Sequence, residues 1–192
     1  DTVSRWCTKW RLSINMKKSA VVHYCKKGHR SDVIFKFNKN ILQYKEEYKY
    51  LGVHFEENIN FHKNADTLSK AGGRALGGMI SKIRSYNEIG ISTFKKLFLN
   101  CVAPVVDYCS EVWGLRNYQC IEMVQNRALR YYLGVHRFTP LPALHEEFGW
   151  SLPHHRYCVN AVRYWNRLLS MDNNRITKIV FFWDMNQHNS SR

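Results

Sequence analysis

The side chains suited to chemistry in this sequence are mostly cationic. Twenty-nine Lys and Arg stand against fifteen Asp and Glu in 192 residues, a net charge of +14 with the nine histidines neutral. Such a field attracts polyanions, and nucleic acid is the leading partner class; a solvated, highly charged surface without a partner is the alternative. The excess runs through the whole chain rather than sitting in a tail. Metal chemistry finds little support. Cys7, Cys25, Cys101, Cys109, Cys120 and Cys158 include no Cys-x-x-Cys pair and no His at zinc-finger spacing. His154 and His155 are adjacent, so on a helix they point about 100° apart and share no ligand. The cysteines read as reduced core thiols, which favours an intracellular setting, nuclear or cytoplasmic. Their even number leaves an extracellular disulfide reading open.

These side chains need elements to position them. The length suits one sizeable core, or a small subdomain packed on a larger one, and the 45% hydrophobic content is that of a globular chain. No apolar run reaches the eighteen or so residues that would span a membrane, so no membrane partner is expected. The chain opens Asp1-Thr2-Val3-Ser4 with neither an initiator Met nor a signal pattern, and reads as a piece of something longer.

Val3, Trp6, Cys7 and Trp10 recur at helical spacing, predicting a short helix whose aromatic face packs on a sheet. Alternating, β-prone runs follow: residues 20–25, residues 33–37, and residues 48–55 with Tyr48-Lys49-Tyr50-Leu51-Gly52-Val53 at their head. Between the first two, Lys26-Lys27-Gly28-His29-Arg30 reads as a basic turn; Asn38-Lys39-Asn40 is another turn. Gly52 interrupts its strand, which marks a bulge or a close approach of another backbone or ligand.

From residue 60 the period becomes helical. Ala65, Leu68, Ala71, Ala75, Leu76, Met79, Ile80 and Ile83 share one face, with Lys63, Lys70, Arg74, Lys82 and Arg84 mostly off it. Gly72-Gly73 and Gly77-Gly78 lie inside this helix at about 1 kcal/mol each relative to Ala. Close approach of another helix or of a phosphate backbone would explain them, as would a kinked helix with ordinary packing. Further helices are expected from residue 91 to Pro104, then over 105–113, over 118–133 with Gln125, Arg127 and Arg130 off the apolar face, and over 143–148. A last one runs over 153–171, with Val159, Val162, Trp165, Leu168 and Leu169 inward. The polar tail past Phe182 should fray. The expected class is α+β, a small antiparallel sheet over residues 1–58 followed by an all-α helical bundle over residues 59–192.

Three segments, in this order, resemble one family. Trp6-x-x-x-Trp10-x-Leu12-x-Ile14-Asn15-x-x-Lys18-Ser19 resembles the stretch after the catalytic hairpin in reverse transcriptases of non-LTR (LINE-type) retrotransposons. Tyr50-Leu51-Gly52 resembles the Tyr-Leu-Gly strand of those enzymes. The segment Val102-Ala103-Pro104-Val105-Val106-Asp107-Tyr108-Cys109-Ser110-Glu111-Val112-Trp113 resembles their thumb segment, with Cys109 in place of a glycine. Gln125-Asn126-Arg127-Ala128-Leu129-Arg130, Leu133-Gly134 and Thr139-Pro140 continue the match.

The resemblance implies the carboxyl end of a polymerase palm followed by a thumb and its connection. Lys18 would be the triphosphate-side lysine, its ammonium neutralising developing phosphate charge or giving a proton to the leaving pyrophosphate. Tyr50, Leu51 and Gly52 would hold the primer, and Lys63, Lys70, Arg74, Arg127 and Arg130 would contact phosphates of an RNA template with its DNA primer. The missing fingers and palm of the parent would be partners. One departure decides the chemistry. Two-metal phosphoryl transfer needs carboxylates holding two Mg²⁺ roughly 3.5–4 Å apart, and the family's Tyr-x-Asp-Asp hairpin has no counterpart here. Asp32, Asp66, Asp107, Asp172 and Asp184 lie in unlike contexts. No cofactor is expected in this chain, Mg²⁺ belonging to the intact parent, and the chain alone is expected to be inactive. A non-catalytic basic helical module binding nucleic acid or protein is the competing reading.

Overall fold

The computed structural model describes residues 2–25, 33–86 and 88–190, of which 187–190 are described by backbone alone. The expected basic turn of Lys26 to Arg30, and Asp32, lie outside the described residues. Two compact units divide the chain, Asp1–Asn64 and Ala65–Arg192.

The first unit opens with helix α1 (Thr2–Lys9) and a 3₁₀ turn (Met16–Lys18). Strands β1 (Ala20–Val21), β2 (Lys36–Phe37), β3 (Asn40–Ile41), β4 (Gln43–Tyr44), β5 (Glu47–Tyr50) and β6 (Val53–Glu56) follow. They form three separate two-stranded pieces, so the single antiparallel sheet expected from the sequence is corrected. β2 with β3 and β5 with β6 are antiparallel hairpins, whereas β1 pairs β4 in parallel, Ala20 opposite Gln43. The β2–β3 hairpin intervenes in sequence between β1 and β4, so their pairing joins segments that are not consecutive, which is where a parallel pair can form.

α1 differs from expectation as well. Cys7 is buried, yet Trp6 and Trp10 are 54% and 60% exposed, because two-residue strands offer no broad apolar surface to receive them.

The second unit is helical. α2 (His62–Ile83) starts at the end of the first unit and continues into the second; α3 (Ile91–Cys101), α4 (Ala103–Val106), α5 (Ser110–Trp113) and α6 (Gln119–Leu133) come next. α7 (Leu141–Phe148), α8 (Pro153–Ser170) and α9 (Ile176–Ser190) complete it. Their limits follow from local chemistry. Gly134 and Gly149 take left-handed φ values of 64° and 59°, closing α6 and α7. Pro104 and Pro153 sit in first turns, where the missing N–H costs nothing. Cys109, at a φ of 53°, breaks the expected 105–113 helix into α4 and α5.

An aromatic core of Phe94, Phe98, Phe148 and Trp150 joins α3 to the α7 end, with Trp113 and Tyr157 at a second centre. α6 is buried nearly all round. Ile121, Val124, Ala128 and Leu129 are inside, and so are Gln125 and Asn126, against the expectation that Gln125 lies off the apolar face. On α8 the inward residues are Pro153, Tyr157 and Leu168, while Val159, Val162, Trp165 and Leu169 are exposed, which corrects four of the five expected. The backbone past Phe182 stays helical to Ser190 where unravelling was expected.

Candidate nucleic-acid interface

In the first unit, the Asn15-x-x-Lys18-Ser19 segment is a self-capped turn. The Asn15 side chain accepts from the Lys18 N–H at 3.2 Å, and the Ser19 hydroxyl donates to the Asn15 carbonyl at 3.0 Å. Two short side chains thus fix the turn, leaving Lys18 exposed at its end. The Tyr48 hydroxyl donates to the Lys18 carbonyl at 2.6 Å. This bond couples the lysine turn to the β5–β6 hairpin, thirty residues away in sequence.

Tyr50-Leu51-Gly52 is the tip of that hairpin rather than a strand with a flaw. Tyr50 pairs with Val53, leaving a two-residue loop in which Leu51 and Gly52 both have positive φ, 46° and 89°. That is the primed turn whose twist suits adjoining strands, and it accounts for the glycine. Leu51 occupies a left-handed position that disfavours any side chain with a Cβ, at about 1–2 kcal/mol. It is 73% exposed and Tyr50 is 59% exposed. A strained, apolar tip therefore projects from a hairpin anchored to Lys18.

Lys63 donates to Glu47 of β5 in an ion pair, and that hydrogen bond is the main reason the Glu47 carboxyl is held below the usual carboxylate range. Its ammonium is thus shared with a carboxylate rather than presented alone. Asn64, buried beside it in sequence, accepts from the His54 N–H at 3.1 Å.

In the second unit, Lys70 pairs with Asp66 at 2.7 Å, one helical turn apart, and both are exposed. Arg74 is exposed on the same face. The four glycines of α2 separate into two kinds. A Cβ at Gly72 would meet Val106 Cγ1 at 2.3 Å, so this glycine lets α4 and α6 pack against α2. A Cβ at Gly73, Gly77 or Gly78 would meet nothing within 4 Å. The helix runs uninterrupted from His62 to Ile83, so a break in it does not explain these three. They leave the backbone bare on a face carrying Lys70 and Arg74.

On α6, Arg127 is exposed while Arg130 is half-buried, donating from one terminal nitrogen to the Thr139 carbonyl at 3.4 Å. The neighbouring motif residues serve the fold. Gln125 donates to the Ser151 carbonyl at 2.9 Å and accepts from Arg156 at 2.8 Å; Arg156 also grips Asp107 through two bonds of 2.8 and 3.1 Å. Asn126 bonds His145 at 2.9 Å, Asn160 donates to Ser110, and Trp113 donates to the Tyr108 carbonyl. Sequence periodicity missed this network because buried Gln and Asn look like surface residues in a binary pattern. The signal available was the local run of Gln125-Asn126 beside Arg127 in a helix with little else polar on that flank.

Several of the described aspartates are engaged within the fold. Asp66 is tied to Lys70 and Asp107 to Arg156. Asp172 accepts from the Asn174 N–H in a turn. Among the described residues no three His, Cys, Asp or Glu cluster so as to hold a metal. All six cysteines are free thiols, with burial pushing that of Cys120 up. No helix of the described residues is long and apolar enough to cross a membrane.

Comparison with known proteins gives a consistent set of relatives. The chain is 21% identical over 173 residues to a probable RNA-directed DNA polymerase from transposon BS of Drosophila melanogaster, covering 87% of this chain and 19% of that protein. It is 26% identical over 137 residues to the RNA-directed DNA polymerase from mobile element jockey of Drosophila funebris, covering 70% and 15%. A probable RNA-directed DNA polymerase from transposon X-element of Drosophila melanogaster is 22% identical over 168 residues, covering 86% and 18%. The chain spans less than a fifth of the length of these relatives. No family model and no solved structure matches. Over most of its length, the chain is similar to part of the RNA-directed DNA polymerases of non-LTR retrotransposons.

Proposed function

We propose that this chain is the template-primer-holding part of a non-LTR reverse transcriptase, the first unit being the carboxyl end of a palm and the second a thumb with its connection. The observation that carries the reading is the solvent face of α2, where Lys70 and Arg74 border three glycines that no packing among the described residues requires. Bare backbone beside cations suits the close approach of a phosphate backbone, which contributes affinity without reading sequence. Tyr50, Leu51 and Gly52 form the second contact, at the primer. Lys18, on its capped turn, is the triphosphate-side lysine of the intact enzyme. Arg127 adds an exposed cation on α6, whereas Lys63 is engaged with Glu47 of β5 within the first unit.

In this reading catalytic carboxylates and Mg²⁺ belong to the rest of the parent, because the sequence has no counterpart of the Tyr-x-Asp-Asp hairpin. The test is twofold. The chain should bind an RNA/DNA hybrid, and exchanging Lys70 and Arg74 for Glu should weaken that binding whatever the sequence; unchanged affinity sinks the assignment of this face. Primer extension with Mg²⁺ by the purified chain should be undetectable, and observing it would falsify the non-catalytic half of the reading.

A further inference from the structure

α8 has two opposite faces. Tyr157 and Leu168 are buried on one side, 2% and 6% exposed. On the other side His155, Val159, Val162, Asn166 and Leu169 follow one another in alternating steps of four and three residues. At about 100° per residue these positions fall within about 80° of arc, the narrow seam of a coiled coil rather than the broader stripe by which a helix packs on its own core. All of them are exposed, Val159, Val162 and Leu169 at 47%, 59% and 42%. α9 meets α8 through Phe181 against Trp165, on one flank of the seam.

The residue types restrict what covers this seam. Val159 and Asn166 fall at heptad position a, Val162 and Leu169 at d. A β-branched residue at a with leucine at d suits two parallel strands, and a single Asn at a fixes register and oligomer state at a cost in stability. In a parallel pair of α8 helices Asn166 meets Asn166 of the second copy. The flanking g-to-e contacts are then Cys158 with Arg163 and Trp165 with Ser170, so no two like charges face each other. The seam is complementary to itself. A Glu-rich helix of another protein would be drawn to Arg163 and Arg167, yet it would have to supply a polar mate for Asn166. α8 is already held helical by its buried face, so pairing orders no chain, and a seam of two heptads suffices.

We propose that this face of α8 is a homodimer interface, in which two copies pair their α8 helices parallel and in register about a twofold axis. Val159, Val162 and Leu169 form its apolar layers and Asn166 sets the register. The buried face of α8, with Tyr157 against Trp113, points away from the second copy in this arrangement. The net charge of +14 on each copy opposes association, and salt screens it over about 8 Å at physiological ionic strength. Dimerisation therefore strengthens with salt, the reverse of binding to a nucleic acid. The inference goes beyond the proposed function and stands without it.

Sedimentation velocity of the nuclease-treated whole chain, over the micromolar to submillimolar concentrations that suit a small interface, tests it. A monomer–dimer equilibrium should appear and tighten as salt rises. Val162→Glu, at an exposed position, should raise the dissociation constant about tenfold or more with the helical signal intact. Asn166→Val should lower it and admit species larger than a dimer. Under mild oxidation, Val159→Cys and Asn166→Cys, each made singly, should both join copies through the same numbered residue, read by mass spectrometry of the disulfide-linked peptides; an antiparallel pair cannot join both. A dimer indifferent to Val162→Glu, weaker association in Asn166→Val, or a link at only one of the two positions overturns the inference. So does a chain that stays monomeric throughout, including one whose seam instead takes up an added Glu-rich peptide helix.

Discussion

Cys109 sits in the left-handed region at a φ of 53°, between two short helices. The resemblance of this segment to non-LTR reverse transcriptases implies a glycine at the matching position, and the backbone here would suit one: a Cβ at that φ is disfavoured by about 1–2 kcal/mol. Cys109→Gly should therefore stabilise the second unit by about 1 kcal/mol, offset in part by the greater freedom glycine has when unfolded. Chemical denaturation reads this directly, and a destabilised variant would mean the thiol packs better than its strain suggests. Tyr157 is the other telling residue. It is 2% exposed and its hydroxyl donates to the Val106 carbonyl at 3.1 Å. Burial, reinforced by the nearby Asp107 carboxylate, pushes its pKa far above the ordinary tyrosine value of 10.0. A raised folded pKa gives stability fully present below the unfolded value and lost as pH rises beyond it. The second unit should thus weaken above about pH 10. Tyr157→Phe should cost about 1 kcal/mol at neutral pH and flatten the alkaline decline; a melting series from pH 8 upward compares the two chains.

At the scale of elements, α2 separates two uses of glycine. Gly72 admits Val106, whereas Gly77 and Gly78 open on space. Alanine at Gly77 and Gly78 should raise stability by about 1 kcal/mol each, since alanine is the better helix former, yet reduce affinity for an RNA/DNA hybrid. Stabilisation with unchanged affinity would remove the glycines from the interface. Helices were legible in the sequence wherever one apolar face and a stop signal agreed. α6 ending at Gly134 and α8 beginning at Pro153 are such cases. The β5–β6 hairpin was not, because its alternation passes through the turn and leucine is not a turn residue; only Gly52 hinted at it. α9 was hidden because Ile179, Val180, Phe181 and Phe182 are consecutive and define no single face. α8 misled in another way: Val159, Val162 and Trp165 keep helical spacing on an exposed side, where Trp165 meets Phe181 of α9 edge to face at 4.8 Å.

Across the whole molecule, the strongest motif matches turned out to serve two ends. Asp107, Gln125, Asn126 and Trp113 hold helices together, and Asn15 with Tyr48 shapes the setting of Lys18. A family pattern read from sequence mixes such structural residues with those that touch a ligand, and only geometry separates them. The cationic excess is what remains for binding, and α2 is where bare backbone and cations coincide. The most direct measurement of that claim is the salt dependence of hybrid binding by the whole chain and by its Lys70→Glu/Arg74→Glu variant. Counterion release predicts a linear fall of log affinity with log salt, losing about 0.9 of slope for each duplex phosphate contact removed. The account predicts a steep slope for the wild type and one shallower by about 1 to 2 in the variant. Equal slopes, or affinity indifferent to salt, would contradict it.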